Sequence, residues 1–396
     1  MHPLLRVTSG QGDLALQVQS SCCEHGDRST GPSATLTEGH AEPPRVVLRA
    51  RGAGSWFMAL AAETTSCFMS RAPHTAGPLA LPSGHQRLEV TNGSSPAVFV
   101  LLGFSARPSL EPVLFVVVLG CYMVSVLGNA TIVLLARVDV RLHTPMYFFL
   151  ANLSFLDVSF TTSIVPQLLV NLWGPRKTIS YAGCVVQFYV SHWLGATECV
   201  LLAVMSYDRY AAICKPLHYM VIMHTRLCLG LAFTSWFGGL TTSMVGSTLT
   251  MLLPLCGHNC IDHFFCEMPL IMQLACVDTR VNELEMYVAS FVFVVLPLGL
   301  ILVSYGHITQ AVLKIRSAEG RRKAFGTCSS HLAVVSLFYG SILFMYLQPA
   351  KSSSHEQGKF IALFYTVATP MLNPLIYTLR NKDVKQALRH CVGALL

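Results

Sequence analysis

Charged residues are what this sequence has least of. Only 12% of its 396 residues are Asp, Glu, Lys or Arg, whereas 53% are hydrophobic. A soluble domain has about 25% charged residues, and half that share cannot cover the surface of a water-soluble protein of this length. The scarcity of charge therefore excludes a soluble globular protein and predicts an integral membrane protein.

Several other features are scarce as well. Despite a net charge of +7, the basic residues form no arm or stripe that a phosphate backbone could follow, so we expect no nucleic acid partner. The two halves show no repeat and no matching broken helices, which disfavours a transporter or channel. No nucleophile with its base and no catalytic metal set stands out, which disfavours a membrane enzyme.

Long uncharged or nearly uncharged stretches supply seven candidate membrane spans, since a spanning helix needs about 20 mostly apolar residues. Two of them are interrupted by an acid well inside the stretch, Asp157 in the second and Glu198 in the third. The fold class predicted is an all-α membrane protein, a seven-transmembrane helix bundle. The stretches are Pro112 to Ala136, Met146 to Trp173, Ala182 to Ile213, the run starting at Leu227, Met286 to Leu313, Ala324 to Ala350 and Phe360 to Leu379.

The distribution of Lys and Arg between the loops predicts the orientation. Most of them fall into the connections and the carboxyl terminus of one side. The other side, counted after residue 111, holds only Arg176, Lys177, Arg280, Lys351 and Lys359. The amino terminus is therefore predicted to be extracellular and the carboxyl terminus cytosolic.

The chain divides into four parts by composition. Residues 1–90 are rich in Gly, Pro, Ser, Thr and Arg and are predicted to be a disordered extracellular extension. Residues 91–111 precede the first span and carry the glycosylation sequon at Asn92. Residues 112–380 form the seven-helix domain. Residues 381–396 have apolar side chains at helical spacing, which predicts an amphipathic helix on the inner lipid leaflet.

Five motifs lie in order at the span boundaries. They are Leu142-His143-Thr144-Pro145-Met146-Tyr147, Met205-Ser206-Tyr207-Asp208-Arg209-Tyr210, Ser304-Tyr305, Lys323-Ala324-Phe325-Gly326-Thr327-Cys328-Ser329-Ser330-His331 and Pro370-Met371-Leu372-Asn373-Pro374-Leu375-Ile376-Tyr377. With these motifs the chain resembles the olfactory branch of the rhodopsin-like G-protein-coupled receptors from Phe99 to about Leu388. The resemblance implies an odorant receptor in the plasma membrane that activates a stimulatory, olfactory-type heterotrimeric G protein and raises cAMP.

The resemblance also implies which residues switch the receptor. The arginine at the end of the third span is held by its neighbouring acid at rest and faces the G protein once the sixth helix moves outward. Pro374 lacks a backbone donor and gives the seventh helix a place to bend. The implied switch residues are Asp208, Arg209, Tyr210, Tyr305, Asn373, Pro374 and Tyr377.

The two acids inside spans each need a partner, because a carboxylate exposed to lipid costs several kcal/mol. The resemblance places Asp157 and Glu198 near Asn129 and Asn373, a set of oxygen ligands that suits a sodium ion. The alternative is that one carboxyl group is protonated and hydrogen-bonded, because like charges in proximity raise one pKa. No other cofactor is expected.

Cysteines are concentrated in the loop after the fourth span. The resemblance implies disulfides between Cys184 and Cys266 and between Cys256 and Cys276, although sequence alone does not fix connectivity. A zinc or copper site is a competing hypothesis for this loop, since soft and borderline ligands stand close together. Oxidised cysteines cannot supply thiolates, which favours the disulfides. The candidate ligands are Cys256, His258, Cys260, His263 and Cys266.

Small-molecule sites in helix bundles are mostly apolar with a few placed polar groups. One face of the third span and one face of the sixth offer such a lining. No acid stands near Ser191, where amine receptors of the wider superfamily carry one, so the expected ligand is a small, mostly neutral volatile organic molecule. Packing is the competing interpretation for each residue. The predicted contacts are Ser191, His192, Gly195, Tyr339, Ile342 and Tyr346. A receptor-like chain that does not signal remains an alternative.

Overall fold

The computed structural model describes residues 97–255, 259–347, 354–380 and 384–389. The predicted extension over 1–90, the sequon at Asn92, and Cys256 lie outside the described residues. The same holds for the side chain of Tyr346.

Seven long helices form the bundle, which confirms the predicted fold class. By length and hydropathy each can cross a membrane. The bounds of α5 and α7 below combine consecutive helical pieces where a π turn interrupts the helix. The helices are α1 (Glu111–Val138), α2 (Pro145–Trp173), α3 (Tyr181–Cys214), α4 (Thr225–Met251), α5 (Arg280–Ser290, Phe291–Val295 and Leu296–Lys314), α6 (Ala318–Leu347) and α7 (Ser354–Leu363, Phe364–Ala368 and Thr369–Arg380).

Local sequence explains where these helices begin. Pro145 opens α2 at a position where its missing N–H is not needed. The Ser180 hydroxyl caps α3 by accepting a hydrogen bond from the Gly183 amide at 3.0 Å. Pro145 and Ser180 thus mark the starts of α2 and α3, because each reduces the number of unpaired backbone amides at the helix end.

The α3 helix lies at the centre of the bundle and packs against α2, α4 and α5. The outward surfaces of α1, α4 and α5 carry exposed apolar side chains, including Val116, Phe233 and Phe291. In water such surfaces would be a liability, whereas in a bilayer they face lipid tails. Ser243 and Ser247 of α4 point the other way, toward α3.

A small sheet covers one end of the bundle and was not predicted. Strand β1 (Val98–Leu101) lies between β2 (Thr178–Ser180), which is antiparallel to it, and β3 (Cys260–Ile261), which is parallel to it. We call this the disulfide end, because it also holds the Cys184–Cys266 bond. The opposite end, with Asp208 and Arg209, is called the arginine end.

At the arginine end, residues 384–389 are helical. Val384 and Ala387 are buried against Ile132 and Leu135 of α1 and Leu150 of α2. Part of the apolar face predicted to lie on lipid therefore packs on protein. Most of the predicted tail, including residues 390–396, is outside the described residues.

The contact between α3 and α4 is close because α4 presents small side chains there. A Cβ atom added at Gly239 would lie 2.2 Å from the Thr197 hydroxyl oxygen and 2.8 Å from the Trp193 carbonyl oxygen. At Gly230, on the same helix, nothing lies within 4 Å of such an atom. The two glycines therefore form a matched pair.

We expect Gly239→Ala to destabilise the protein and Gly230→Ala to leave it unchanged or slightly more stable. Overpacking of a tight contact costs about 1–3 kcal/mol, whereas alanine at an open helical position gains about 0.5–1 kcal/mol over glycine. The measurement is the melting temperature of the purified protein in detergent. Equal melting temperatures for the two variants would contradict the close packing of α4 on α3.

Candidate functional site

The loop between α4 and α5 forms a lid over the disulfide end. The disulfide from Cys184 ties this loop to the beginning of α3, the pairing implied by the resemblance. The backbone amide of Cys266 also donates to the Gln187 side-chain oxygen at 3.0 Å. Cys276 is disulfide-bonded too. Its implied partner is outside the described residues, although a β-bridge joins Leu255 to Ala275 beside it.

The metal hypothesis for this loop finds little support in the described residues. Cys266 is oxidised and has no thiolate to offer, while Cys260 is an exposed free thiol. Within the described ranges, no three His, Cys, Asp or Glu side chains come together as a metal site. Burial raises the pKa of the Glu267 carboxyl to about 7, and His263 Nε2 lies 4.0 Å from that carboxylate.

A buried lysine joins the lid to α7. Lys359 Nζ donates to the Gly103 carbonyl oxygen at 2.9 Å and pairs with the Asp262 carboxylate at 2.5 Å. Gly103 adopts a left-handed backbone conformation with φ of 49°, which glycine tolerates best. A second pair, Arg107 with Glu356 at 2.7 Å, links the same segment to α7.

The predicted ligand contacts on α3 lie below this lid. The Ser191 hydroxyl is buried and donates to the Phe188 carbonyl oxygen at 3.2 Å. His192 Nδ1 lies 3.3 Å from the Ser247 hydroxyl of α4, and its ring stacks on Phe188. No atom lies within 4 Å of a Cβ added at Gly195, so there is open space beside this residue.

The predicted contacts on α6 lie deeper in the bundle. Tyr339 is buried and donates its hydroxyl proton to the Cys199 carbonyl oxygen of α3 at 3.1 Å. Ile342 packs at the edge of the same apolar cluster. The structure thus places Tyr339 in a packing position, and its contact with a ligand stays a prediction.

A polar core lies at mid-bundle where α1, α2, α3 and α7 meet. Asn373 Nδ2 donates to both Asp157 carboxylate oxygens, at 3.2 and 3.0 Å. Asn129 Nδ2 donates to the carbonyl oxygens of Ser125 and Pro370, both at 3.0 Å. Asp157 and Glu198 are within electrostatic reach of each other.

Three oxygen atoms of this core have no hydrogen-bond partner among the described residues. They are Asn129 Oδ1, Glu198 Oε1 and Asn373 Oδ1, and all three are buried. Buried polar atoms are rarely left unpaired. Since these atoms are acceptors, a cation or a proton is the partner that would satisfy them.

At the arginine end the predicted switch residues are locked together. Arg209 pairs with Asp208, and both side chains are buried. The Tyr219 hydroxyl donates to the other Asp208 oxygen at 2.7 Å. Burial, and after it the Asp208 carboxylate, raise the pKa of the Tyr219 phenol well above its usual range, so the phenol keeps the proton that it donates.

Two further hydrogen bonds connect α5, α6 and α7 near the arginine end. Tyr305 of α5 shares a hydrogen bond of 2.8 Å with His331 Nδ1 of α6. Ser330 Oγ donates to the Ile376 carbonyl oxygen of α7 at 3.4 Å. Pro374 packs on Gly128 of α1, where a Cβ atom would lie 2.9 Å from its ring. The arrangement therefore joins α1, α5, α6 and α7 around the arginine.

Sequence reasoning missed three residues of this assembly. His331 lies in the motif at the start of the sixth span, but no role was predicted for it. Tyr219 lies in the short connection after the third span. Lys359 was used only in the count of Lys and Arg that predicts the orientation. A signal existed for Lys359 alone, since it is a lone cation in the first turns of a span. The partners of the other two come from distant helices and leave no local pattern.

The comparisons with known proteins agree with this geometry. A family model described as "Olfactory receptor" matches residues 118–394. Human olfactory receptor 2C3 is 84% identical over 305 residues, 77% of this chain and 95% of that protein. Mouse olfactory receptor 2C1 is 60% identical over 306 residues, 77% of this chain and 98% of that protein. A crystal structure of squid rhodopsin covers 72% of this chain and 80% of its own with a TM-score of 0.57 at 18% identity.

The rhodopsin-like arrangement of seven helices defines the class, a G-protein-coupled receptor. Within that class the chain belongs to the olfactory receptor family. It is thus a multi-pass protein of the plasma membrane, a signalling receptor for odorants that acts through a G protein, and not an enzyme. The family and the fold class predicted from sequence are confirmed.

We expect Tyr219→Phe to raise ligand-independent signalling several-fold. The substitution removes a hydrogen bond to the charged Asp208, and such bonds are worth about 1.5–3 kcal/mol, so the restraint on Arg209 weakens. The measurement is basal G-protein output at equal surface expression. Tyr207→Phe is the control, because this tyrosine is exposed. Equal basal output from both variants would contradict a restraining role for Tyr219.

Proposed function

We propose that this receptor binds a small, mostly neutral volatile organic ligand inside the bundle and activates a stimulatory, olfactory-type G protein that raises cAMP. The observation that carries the proposal is the buried contact of Arg209 with Asp208 and Tyr219. An arginine held away from solvent at the end of α3 has the arrangement of a resting receptor, and its release would expose a cationic surface for a G protein.

The disulfide end is proposed to be extracellular and the arginine end cytosolic. Disulfides form and persist in oxidising compartments. Basic residues concentrate in the connections of the opposite end, as they do on the cytosolic side of membrane proteins. The amino terminus is then outside and the carboxyl terminus inside.

Ligand binding acts on this resting state only through a difference in affinity between the two conformations. The proposed ligand lies beside Ser191, His192 and Gly195 of α3 and meets α6 through Tyr339, Ile342 and Tyr346. The hydroxyl of Tyr339 holds α6 to the α3 backbone at Cys199. A ligand that displaces this contact favours outward movement of α6.

Movement of α6 would break two described contacts at the arginine end. These are the Tyr305–His331 hydrogen bond to α5 and the Ser330–Ile376 hydrogen bond to α7. Arg209 lies within electrostatic reach of His331 and Tyr377, so the loss of these contacts changes its surroundings directly. The arginine could then leave Asp208 for the G protein.

The first test measures cAMP in cells that express the full chain with an olfactory-type stimulatory G protein, against a broad panel of neutral odorants. We expect at least one dose-dependent response. Arg209→Ala should abolish it at unchanged surface expression, because the group that would meet the G protein is removed.

The pocket is tested with the same active odorant. Ser191→Val removes the hydroxyl and adds apolar volume beside the proposed ligand, and both changes should weaken potency. Lys314→Gln, at the far end of α5, is the matched surface control. A potency unaffected by Ser191→Val would place the ligand elsewhere, and silence of the whole panel despite surface expression would favour a receptor-like chain that does not signal.

We further propose that the polar core holds a sodium ion at rest. Asp157 and Glu198 supply carboxylate oxygens, and Asn129 and Asn373 supply amide oxygens. Hard cations prefer oxygen ligands. The unpaired buried acceptors of the core support this fit. Bound sodium would offset the repulsion between the two carboxylates and favour the resting conformation.

We expect sodium chloride to raise the melting temperature of the purified receptor more than potassium chloride does, because a bound ligand stabilises the folded state. Glu198→Gln should remove the difference, and Glu319→Gln, at an exposed position at the start of α6, should retain it. Equal effects of the two salts on the unmodified receptor would favour a protonated carboxyl group instead.

A further inference from the structure

A separate polar niche lies where α4 and α5 meet near the disulfide end. A Cβ atom added at Gly246 of α4 would lie 2.8 Å from each carboxylate oxygen of Glu285 of α5. The missing side chain of Gly246 thus lets this carboxylate rest directly on the α4 backbone. The residues of the predicted odorant pocket do not include it.

Helix spacing places two further polar side chains near the same contact. The α4 helix runs toward the disulfide end and α5 begins there, so the two are antiparallel. One turn outward from the Gly246–Glu285 contact lie Thr250 on α4 and Asn282 on α5, four and three residues away on the same faces. Thr250 is fully buried, and Asn282 is 5% exposed.

None of the three side chains is satisfied within the described part of the chain. Glu285 Oε2, Thr250 Oγ1 and Asn282 Nδ2 are buried and have no hydrogen-bond partner there. Buried polar atoms normally have partners. Two of the three, Glu285 Oε2 and Thr250 Oγ1, can accept a hydrogen bond, so a molecule that donates several hydrogen bonds would satisfy them.

The neighbouring charges do not neutralise Glu285. Arg280 is exposed and pairs with Asp278, with 3.5 Å between guanidinium and carboxylate. Glu283 accepts a hydrogen bond from Thr279 at 3.0 Å. On the α3 side, His192 is engaged with Ser247. Among the described residues, no cationic side chain is paired with the Glu285 carboxylate.

We propose that this niche binds the ammonium group of a small primary amine. An ammonium has three donor hydrogens and a positive charge. Glu285 Oε2 and Thr250 Oγ1 accept two of the hydrogens. Asn282 accepts the third once its amide is turned, since the oxygen and nitrogen of an amide are assigned from the hydrogen-bond network.

An alcohol has a single donor hydrogen and no charge, so it satisfies this niche less well. Amines are thus a ligand class beyond the neutral odorants proposed above. The inference does not rest on signalling, because binding at the niche can be measured on a receptor that activates no G protein.

The test uses the purified full chain in lipid nanodiscs and methylammonium chloride as the probe. Methylammonium is small enough to enter the niche whatever larger ligand the receptor takes. The measurement is the melting temperature as the probe concentration rises, since specific binding to the folded state raises it. Sodium chloride at equal ionic strength and methanol at equal concentration are the comparison solutes.

We expect a saturable upward shift with methylammonium that exceeds the shifts with sodium and methanol. Glu285→Gln should abolish this excess, and Thr250→Val should reduce it. Glu283→Gln should keep it, because that carboxylate lies two residues away and is bonded to Thr279. If Glu285→Gln does not fold, the comparison of Thr250→Val with Glu283→Gln decides the same question.

Three results would overturn the proposal. One is an equal shift with sodium and methylammonium, which indicates an ionic-strength effect or the separate cation site at Asp157 and Glu198. Another is an excess methylammonium shift that persists in Glu285→Gln. The third is an absent shift in the unmodified receptor, which indicates a Glu285 carboxyl that carries a proton and takes no amine.

Discussion

The hydrocarbon layer of a membrane offers no water, so every polar group inside it must find its partner within the protein. This constraint organises the whole bundle. It forces the backbone into helices, and it gives the polar side chains of α4 partners either across the bundle or on their own helix, as for Thr234 and Thr241. Ser243 donates to the Tyr189 carbonyl oxygen at 2.7 Å, and the Trp236 indole donates to the Asn152 side chain at 3.1 Å. The outward surface is then left to apolar side chains.

The same constraint gives meaning to the groups that remain unpaired. Most polar side chains of the described core have a partner, so the exceptions stand out. Six of these atoms lie in two places, the core around Glu198 and the niche around Glu285. Another is the Tyr377 hydroxyl, which is within electrostatic reach of Arg209. At each of these places a bound ligand or a second conformation would supply the missing partner.

The sequence predicts the helices well, because a span is a local property of about 20 residues. The motifs at the span ends also predict the switch residues, and the structure pairs Asp208 with Arg209 and Asn373 with Asp157. What sequence cannot supply is pairing between distant segments. The β1–β2–β3 sheet joins positions near 100, 179 and 260, and strands of two to four residues carry no recognisable period. The niche at Glu285 depends on a glycine in another helix and is equally invisible.

The lid and the switch are connected through α7. Lys359 holds the lid at one end of this helix, and Asn373 contacts Asp157 further along it. Between them the helix widens into a π turn at Phe364–Ala368, a feature common at functional sites. The Thr366 hydroxyl donates to the Ala362 carbonyl oxygen at 2.7 Å and supports this turn. The π turn lies between the part of α7 that Lys359 ties to the lid and the part that Asn373 ties to Asp157, so the two sets of contacts hold separate segments of the same helix.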